Sequence, residues 1–200
     1  WTRTLLVDVL DELGLSEVAA RSRVVSLGTD PVRFRPGIDT ATFRREHDLP
    51  DGRWLVTVAR LEAFKGVDTV IRALRMLAAD YSDLRYLVVG HGSFRSGAEA
   101  LARAEGVADR VHFLSTLSDD ALPAAYAMAT VYAGLTRETA REVEGFGISL
   151  VEAQASGKPV VAGHAGGIVD AVADGETGIL VDPTDATAAA AAIKSLLDHP

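Results

Sequence analysis

The sequence predicts an α/β fold built on a doubly wound parallel sheet of about six strands, and three observations carry that expectation. Short valine-rich runs alternate with helical patterns from Arg53 to the end of the chain. The runs are apolar at consecutive positions rather than at every second one, which marks strands covered on both faces. The length, 200 residues, suits one full domain with a short appendage.

The elements follow in order. Residues 1–22 place Leu5, Leu6, Val9, Leu10 and Leu13 at helical spacing with Gly14 as a stop, and read as one short helix. RVVSLGTDPVRFRP reads as a brief strand that leads into an irregular linker, and the main domain boundary is expected near residues 30–50. Strands are then expected at 54–59, 84–89, 110–114, 130–135, 158–163 and 177–182. Between them lie helical patterns at 67–79, 98–106, 119–129, 148–157 and 167–175, and a last one at 186–198, where alanines and an apolar stripe from Ile193, Leu196 and Leu197 favour a terminal helix.

Composition narrows the function. Twenty basic against 28 acidic residues give a net charge of −8, which argues against bulk attraction to nucleic acid or an anionic membrane face. The absence of cysteine removes disulfides, thiolate metal sites and thiol nucleophiles together. The five histidines show no metal-ligand spacing, so no metal site is expected. No apolar stretch reaches the ~20 residues of a bilayer span, and no basic-then-apolar leader opens the chain. An opening on Trp1 rather than methionine leaves room for a longer parent chain.

In an open parallel sheet ligands bind beyond the carboxyl ends of the strands, so the segments just after each strand are the candidates. After the first strand, ARLEAFKG sets Arg60 and Lys65 around a loop that ends at a helix start. Two cations beside free N–H groups suit a diphosphate; read without that partner, they are solvated loop charges. GHGSFRSG after the second strand is a partial glycine fingerprint in the wrong turn, and a plain tight turn is the better reading.

The segment REVEGFGISLVEAQASGKPVV is the most informative. Gly145, Phe146 and Gly147 precede a helical pattern, which leaves the N–H groups of Gly147, Ile148 and Ser149 to meet an anion or sugar hydroxyls. Glu144 stands before that mouth and Glu152 lies two turns inside. Eight residues at about 1.5 Å each separate them by roughly 12 Å. A hydrolytic carboxylate pair needs roughly 5–9.5 Å, so two separate hydroxyl-bearing groups of one elongated ligand fit better. Gly166 and Gly167 form a second candidate cradle, His164 is a weak candidate base without a partner carboxylate, and Asp119 and Asp120 are expected to cap the helix after them.

Taken in order, ARLEAFKG, VVGHGSFR, VEGFGISLVEAQASGKPVVAGHAGGIVDAV and DGETGILVDP resemble the C-terminal half of the GT-B glycosyltransferases of family 4, over about residues 23–198. The resemblance implies a Rossmann-like donor domain and retaining, metal-independent transfer of a sugar from a nucleoside-diphosphate donor, with no cofactor. It implies that Arg60 and Lys65 hold the diphosphate, that Glu144 contacts the sugar hydroxyls, that Gly145–Ser149 meets sugar and phosphate, and that Glu152 bonds the ribose. The donor would be a GDP-, UDP- or ADP-sugar. The charged loop from Gly134 to Val143 is similar to that of mannosyltransferases acting on phosphatidylinositol-type lipids, which points to GDP-mannose and to a lipid or glycan acceptor.

By the same likeness, residues 1–22 are the tail of an absent N-terminal acceptor domain, 23–50 the interdomain strand and linker, and 51–200 the donor-binding domain, with a final crossing helix lying past Pro200. Half a cleft positions no acceptor, so the fragment alone is expected to turn over little or nothing. The expected location is cytoplasmic, with the absent half as the route to a membrane surface. Two rivals differ in class. A non-catalytic nucleotide- or partner-binding module would not need Arg60, Lys65, Glu144 and Glu152 together; a dinucleotide oxidoreductase needs a glycine series that ARLEAFKG lacks.

Overall fold

A computed structural model describes residues 2–199; Trp1, counted in the expected opening helix, and Pro200 lie outside the described residues. Six strands form one sheet: β1 (Arg53–Val58), β2 (Leu84–Val89), β3 (Val111–Leu114), β4 (Val131–Gly134), β5 (Val160–Gly163) and β6 (Gly178–Val181). Every pairing is parallel, in the order β3-β2-β1-β4-β5-β6. The chain winds outward from β1 to β3, then returns to lay β4 on the free side of β1. That return opens a crevice beyond the ends of β1 and β4, where the order reverses.

Successive residues of each strand point to opposite faces, and both faces are buried. Leu55, Tyr86, Val88, Val131, Ala133 and Val161 join one core with helices α4 (Val67–Leu77), α5 (Arg95–Ala104) and α8 (Ala186–Asp198). Trp54, Val56, Leu87, Val89, Tyr132 and Val160 join the other with α6 (Leu122–Met128) and α7 (Ile148–Ala155). The second core also takes Phe34, Leu49 and Phe43, the last from α3 (Ala41–Glu46). This two-sided covering is what unbroken apolar strand sequences require.

Ahead of the sheet lie α1 (Thr2–Glu12) and α2 (Ser16–Arg21), divided at Gly14, whose φ of 70° ends the first helix. Three sequence expectations change here. RVVSL forms no strand: Val24, Val25 and Leu27 are exposed and pair with no sheet edge, so β-branched side chains alone do not make a strand without a partner to bond. The helix expected at 167–175 shrinks to a single tight turn, Gly166–Asp170. Beyond it Ala173 N–H donates to Thr177 Oγ1 and the Asp174 carboxylate accepts from Leu180, so the backbone is committed to the turn that feeds β6. Asp119 and Asp120 do not cap α6. Ser118 Oγ accepts from Ala121 N–H at 3.2 Å, while the Asp119 carbonyl accepts from Arg33 at 2.6 Å.

Candidate functional site

A cleft of about 460 Å³ lies across the carboxyl ends of the central strands. Its lining runs from Ser115–Leu117 after β3, past Gly90 and His91 after β2 and Arg60 and Lys65 after β1, to Glu144 and the first turn of α7. Of the residues singled out in the sequence, Arg60, Lys65, Glu144, Gly147, Ile148, Ser149 and Glu152 all face this one space. Gly145 and Phe146 do not. They border a neighbouring hollow of about 780 Å³ between the GFG turn and residues 22–27.

Lys65 ends a tight turn, Ala63–Lys65, that is anchored by the buried Phe64 ring. The Lys65 ammonium lies 4.9 Å from that ring's centroid and 2.5 Å from Glu144 Oε2. The ion pair is largely shielded, with side-chain exposures of 14% and 24%. Arg60 is exposed at the rim. Two loops distant in sequence thus place a paired cation and a second cation at one edge of the cleft.

The loop that carries Glu144 is seated by Gly166 and Gly167. Gly167 N–H donates to the Glu144 carbonyl at 2.8 Å. A Cβ on Gly167 would lie 1.9 Å from the Gly145 carbonyl oxygen, so only glycine lets the two backbones approach this closely. The glycine pair expected to be an anion cradle therefore serves as a dock for the Glu144 loop. Gly147 precedes α7 with φ 86°, left-handed, and no side chain caps that helix start. In GHGSFRSG, Gly90 passes close to Ala59, as a tight turn demands.

Glu152, inside α7, accepts a hydrogen bond from the Tyr126 hydroxyl at 2.5 Å. Burial pushes its carboxyl above the ordinary range, and the Tyr126 bond partly offsets the rise. Tyr126 stacks on Tyr132 with ring centroids 5.5 Å apart. The Tyr132 hydroxyl accepts from Val58 N–H at 3.1 Å, and burial pushes its phenol up to about 12. Sequence reasoning missed both tyrosines. Their signal was a phenol inside an otherwise apolar helix or strand, which reads equally well as plain core. His164 is exposed and is not among the cleft residues; His91 lines it instead.

Among the described residues, no group of three or more His, Asp or Glu side chains could hold a metal ion, and no helix is long and apolar enough to cross a membrane. The cleft lining thus brings together the cations Arg60 and Lys65, the latter paired with Glu144, the half-buried Glu152 carboxylate and the hydroxyl-bearing Ser115 and Thr116.

Residues 39–200 match the family model described as glycosyl transferases group 1. The chain is 40% identical over 176 residues to the GDP-mannose-dependent alpha-(1-6)-phosphatidylinositol monomannoside mannosyltransferase of Mycolicibacterium smegmatis, covering 86% of this chain and 46% of that protein. It is 40% identical over 188 residues to the D-inositol 3-phosphate glycosyltransferase of Acidothermus cellulolyticus, covering 89% of this chain and 41% of that protein. The chain thus spans under half the length of these curated relatives. The crystal structure of Anabaena HepE in complex with UDP and glucose superposes with a TM-score of 0.77 at 25% identity, over 93% of this chain and 52% of that one. The family model matches most of the chain, and the chain belongs to the glycosyl transferases group 1 family.

Proposed function

We propose that this chain is the donor-binding half of a retaining glycosyltransferase that moves a sugar, mannose in our reading, from a nucleoside-diphosphate donor without a metal ion. The observation that carries the reading is the Lys65–Glu144 ion pair beside Arg60 and the uncapped start of α7, all within one cleft. GDP is the favoured nucleotide because the M. smegmatis relative is named for GDP-mannose.

Glu144 pairs with Lys65. An arriving diphosphate competes for the ammonium with more charge than one carboxylate can offer, and Glu144 is then released to accept hydrogen bonds from the donor's sugar hydroxyls. As the sugar departs, the diphosphate gains negative charge. Lys65, Arg60 and the N–H groups of Ile148 and Ser149 stabilise that charge in place, without reorganising at the moment of reaction. Glu152 meets the ribose hydroxyls. Neither carboxylate is placed as a hydrolytic acid: Glu144 is ion-paired and Glu152 is hydrogen-bonded by Tyr126.

The second half of the cleft, and with it a lipid or glycan acceptor, would come from the part of the relatives' length that this chain does not span. Closing the cleft would exclude water and orient the acceptor, so this half alone binds donor weakly and turns over little or nothing. Calorimetric titration of the chain with GDP, UDP and ADP is the direct test. Heat with at least one, and tightest binding for GDP, is expected; no heat and no thermal shift with any of them at millimolar concentration removes the reading.

A further inference from the structure

The group that would meet the ribose does not stand alone. Tyr126 is completely buried, held edge-to-face against Phe34 with centroids 5.5 Å apart and stacked on Tyr132. Two rings at different angles fix both the tilt and the rotation of the phenol. Tyr126 lines the cleft, and its hydroxyl donates to Glu152 Oε2 across the contact between α6 and α7.

A glutamate on a helix has three rotatable bonds, and holding it in one rotamer costs entropy. A carboxylate that must meet two neighbouring hydroxyls in register works best when that cost has been met before the ligand arrives. The Tyr126 hydroxyl engages Oε2, and Glu152 lines the cleft with its second oxygen, Oε1, not used by that bond. We infer that Tyr126 is a positioning residue for nucleotide recognition: its hydroxyl orients the Glu152 carboxylate toward the paired ribose hydroxyls of a nucleoside diphosphate. The inference rests on the assignment of Glu152 to the ribose.

Tyr126→Phe is the matched variant, because it keeps both ring contacts and removes only the hydroxyl. GDP and dideoxy-GDP, which lacks both ribose hydroxyls, are titrated calorimetrically into the full chain, and the Glu152 carboxyl is followed by carbon-detected NMR across pH. GDP binding should weaken by about fivefold or more in Tyr126→Phe, the scale of one charge-assisted hydrogen bond, with dideoxy-GDP unaffected. The Glu152 carboxyl should titrate at higher pH in the variant, since the bond that opposes its burial is gone. An unmoved Glu152 titration overturns the positioning role even in the absence of nucleotide. Equal weakening for the two probes overturns it as well, because a generally loosened cleft does not read hydroxyls. If instead Glu152→Ala binds the two probes just as the parent chain does, the ribose assignment beneath the inference fails.

Discussion

Lys65 Nζ and Glu144 Oε2 meet at 2.5 Å across 79 residues of sequence, joining the loop after β1 to the loop before α7. The pair is part-buried, and Glu144 keeps 24% of its side chain exposed at the cleft. Lys65→Ala should weaken GDP binding by more than about tenfold, the cost of losing a charge-assisted contact to phosphate. Stability should fall far less, since the cleft edge lets water reach Glu144. Paired calorimetry and thermal melts separate the two effects, and equal loss of both would mean the pair is only structural.

Arg60 is exposed and serves as the control cation. Arg60→Ala should leave the melting temperature within about 1 °C of the parent, as surface substitutions usually do. On the proposed function, in which Arg60 meets the diphosphate, it should weaken GDP more than GMP. A parallel loss for both nucleotides would move Arg60 to another part of the ligand.

Two glycines a few ångströms apart should behave oppositely. A Cβ at Gly145 meets nothing within 4 Å, whereas one at Gly167 lies 1.9 Å from the Gly145 carbonyl oxygen. Gly145→Ala should therefore keep the fold to within about 0.5 kcal/mol. Gly167→Ala should lose about 1–3 kcal/mol, as overpacking does, and should also displace the Glu144 loop and weaken nucleotide binding. Urea melts with and without GDP check both halves; a Gly167→Ala chain with parental stability would refute the dock.

His112 supplies a pH prediction. Its ring packs edge-on to Trp54 with centroids 5.0 Å apart, its Nε2 is buried without a partner, and burial together with nearby Arg85 holds its pKa below the ordinary histidine value. The unfolded chain therefore binds this proton more readily than the folded one. The contribution is fully present above the unfolded pKa of about 6.5 and is lost as pH falls through the lower folded value. His112→Phe keeps the ring contact and removes the proton site, so its stability should decline less than the parent's between neutral and mildly acidic pH. Identical slopes in denaturant melts would contradict this.

Much of the architecture was legible because it rests on local pattern. Short, mostly apolar, valine-rich runs such as LRYLVV and KPVVAG favour strands covered on both faces, and they supply β2 and β5. RVVSL misled because strand propensity is a statement about fitting a neighbour, and Val25 has none. The helix read at 167–175 stops at Asp170 because Ala173 and Asp174 are tied to Thr177 and Leu180 in the turn that feeds β6. At the cleft, Arg60 and Lys65 were legible as charges that follow a strand, and Glu144 as a carboxylate before a helix mouth. Tyr126 was not, since a buried phenol looks like core until the fold carries its hydroxyl to Glu152.

The starts of α4 and α7 differ from that of α8. Gly66 and Gly147 precede the first two in left-handed conformations with no side chain to accept from the opening amides, whereas Asp185 accepts from both Thr187 and Ala188 at the head of α8. Of the first two, the start of α7 lines the cleft, so on the proposed function a donor phosphate would meet the Ile148 and Ser149 amides there. Amide protons at Ile148 and Ser149 should then exchange faster without nucleotide than at saturation, while those at Val67 and Asp68, outside the cleft lining, should not respond, making hydrogen exchange a map of occupancy.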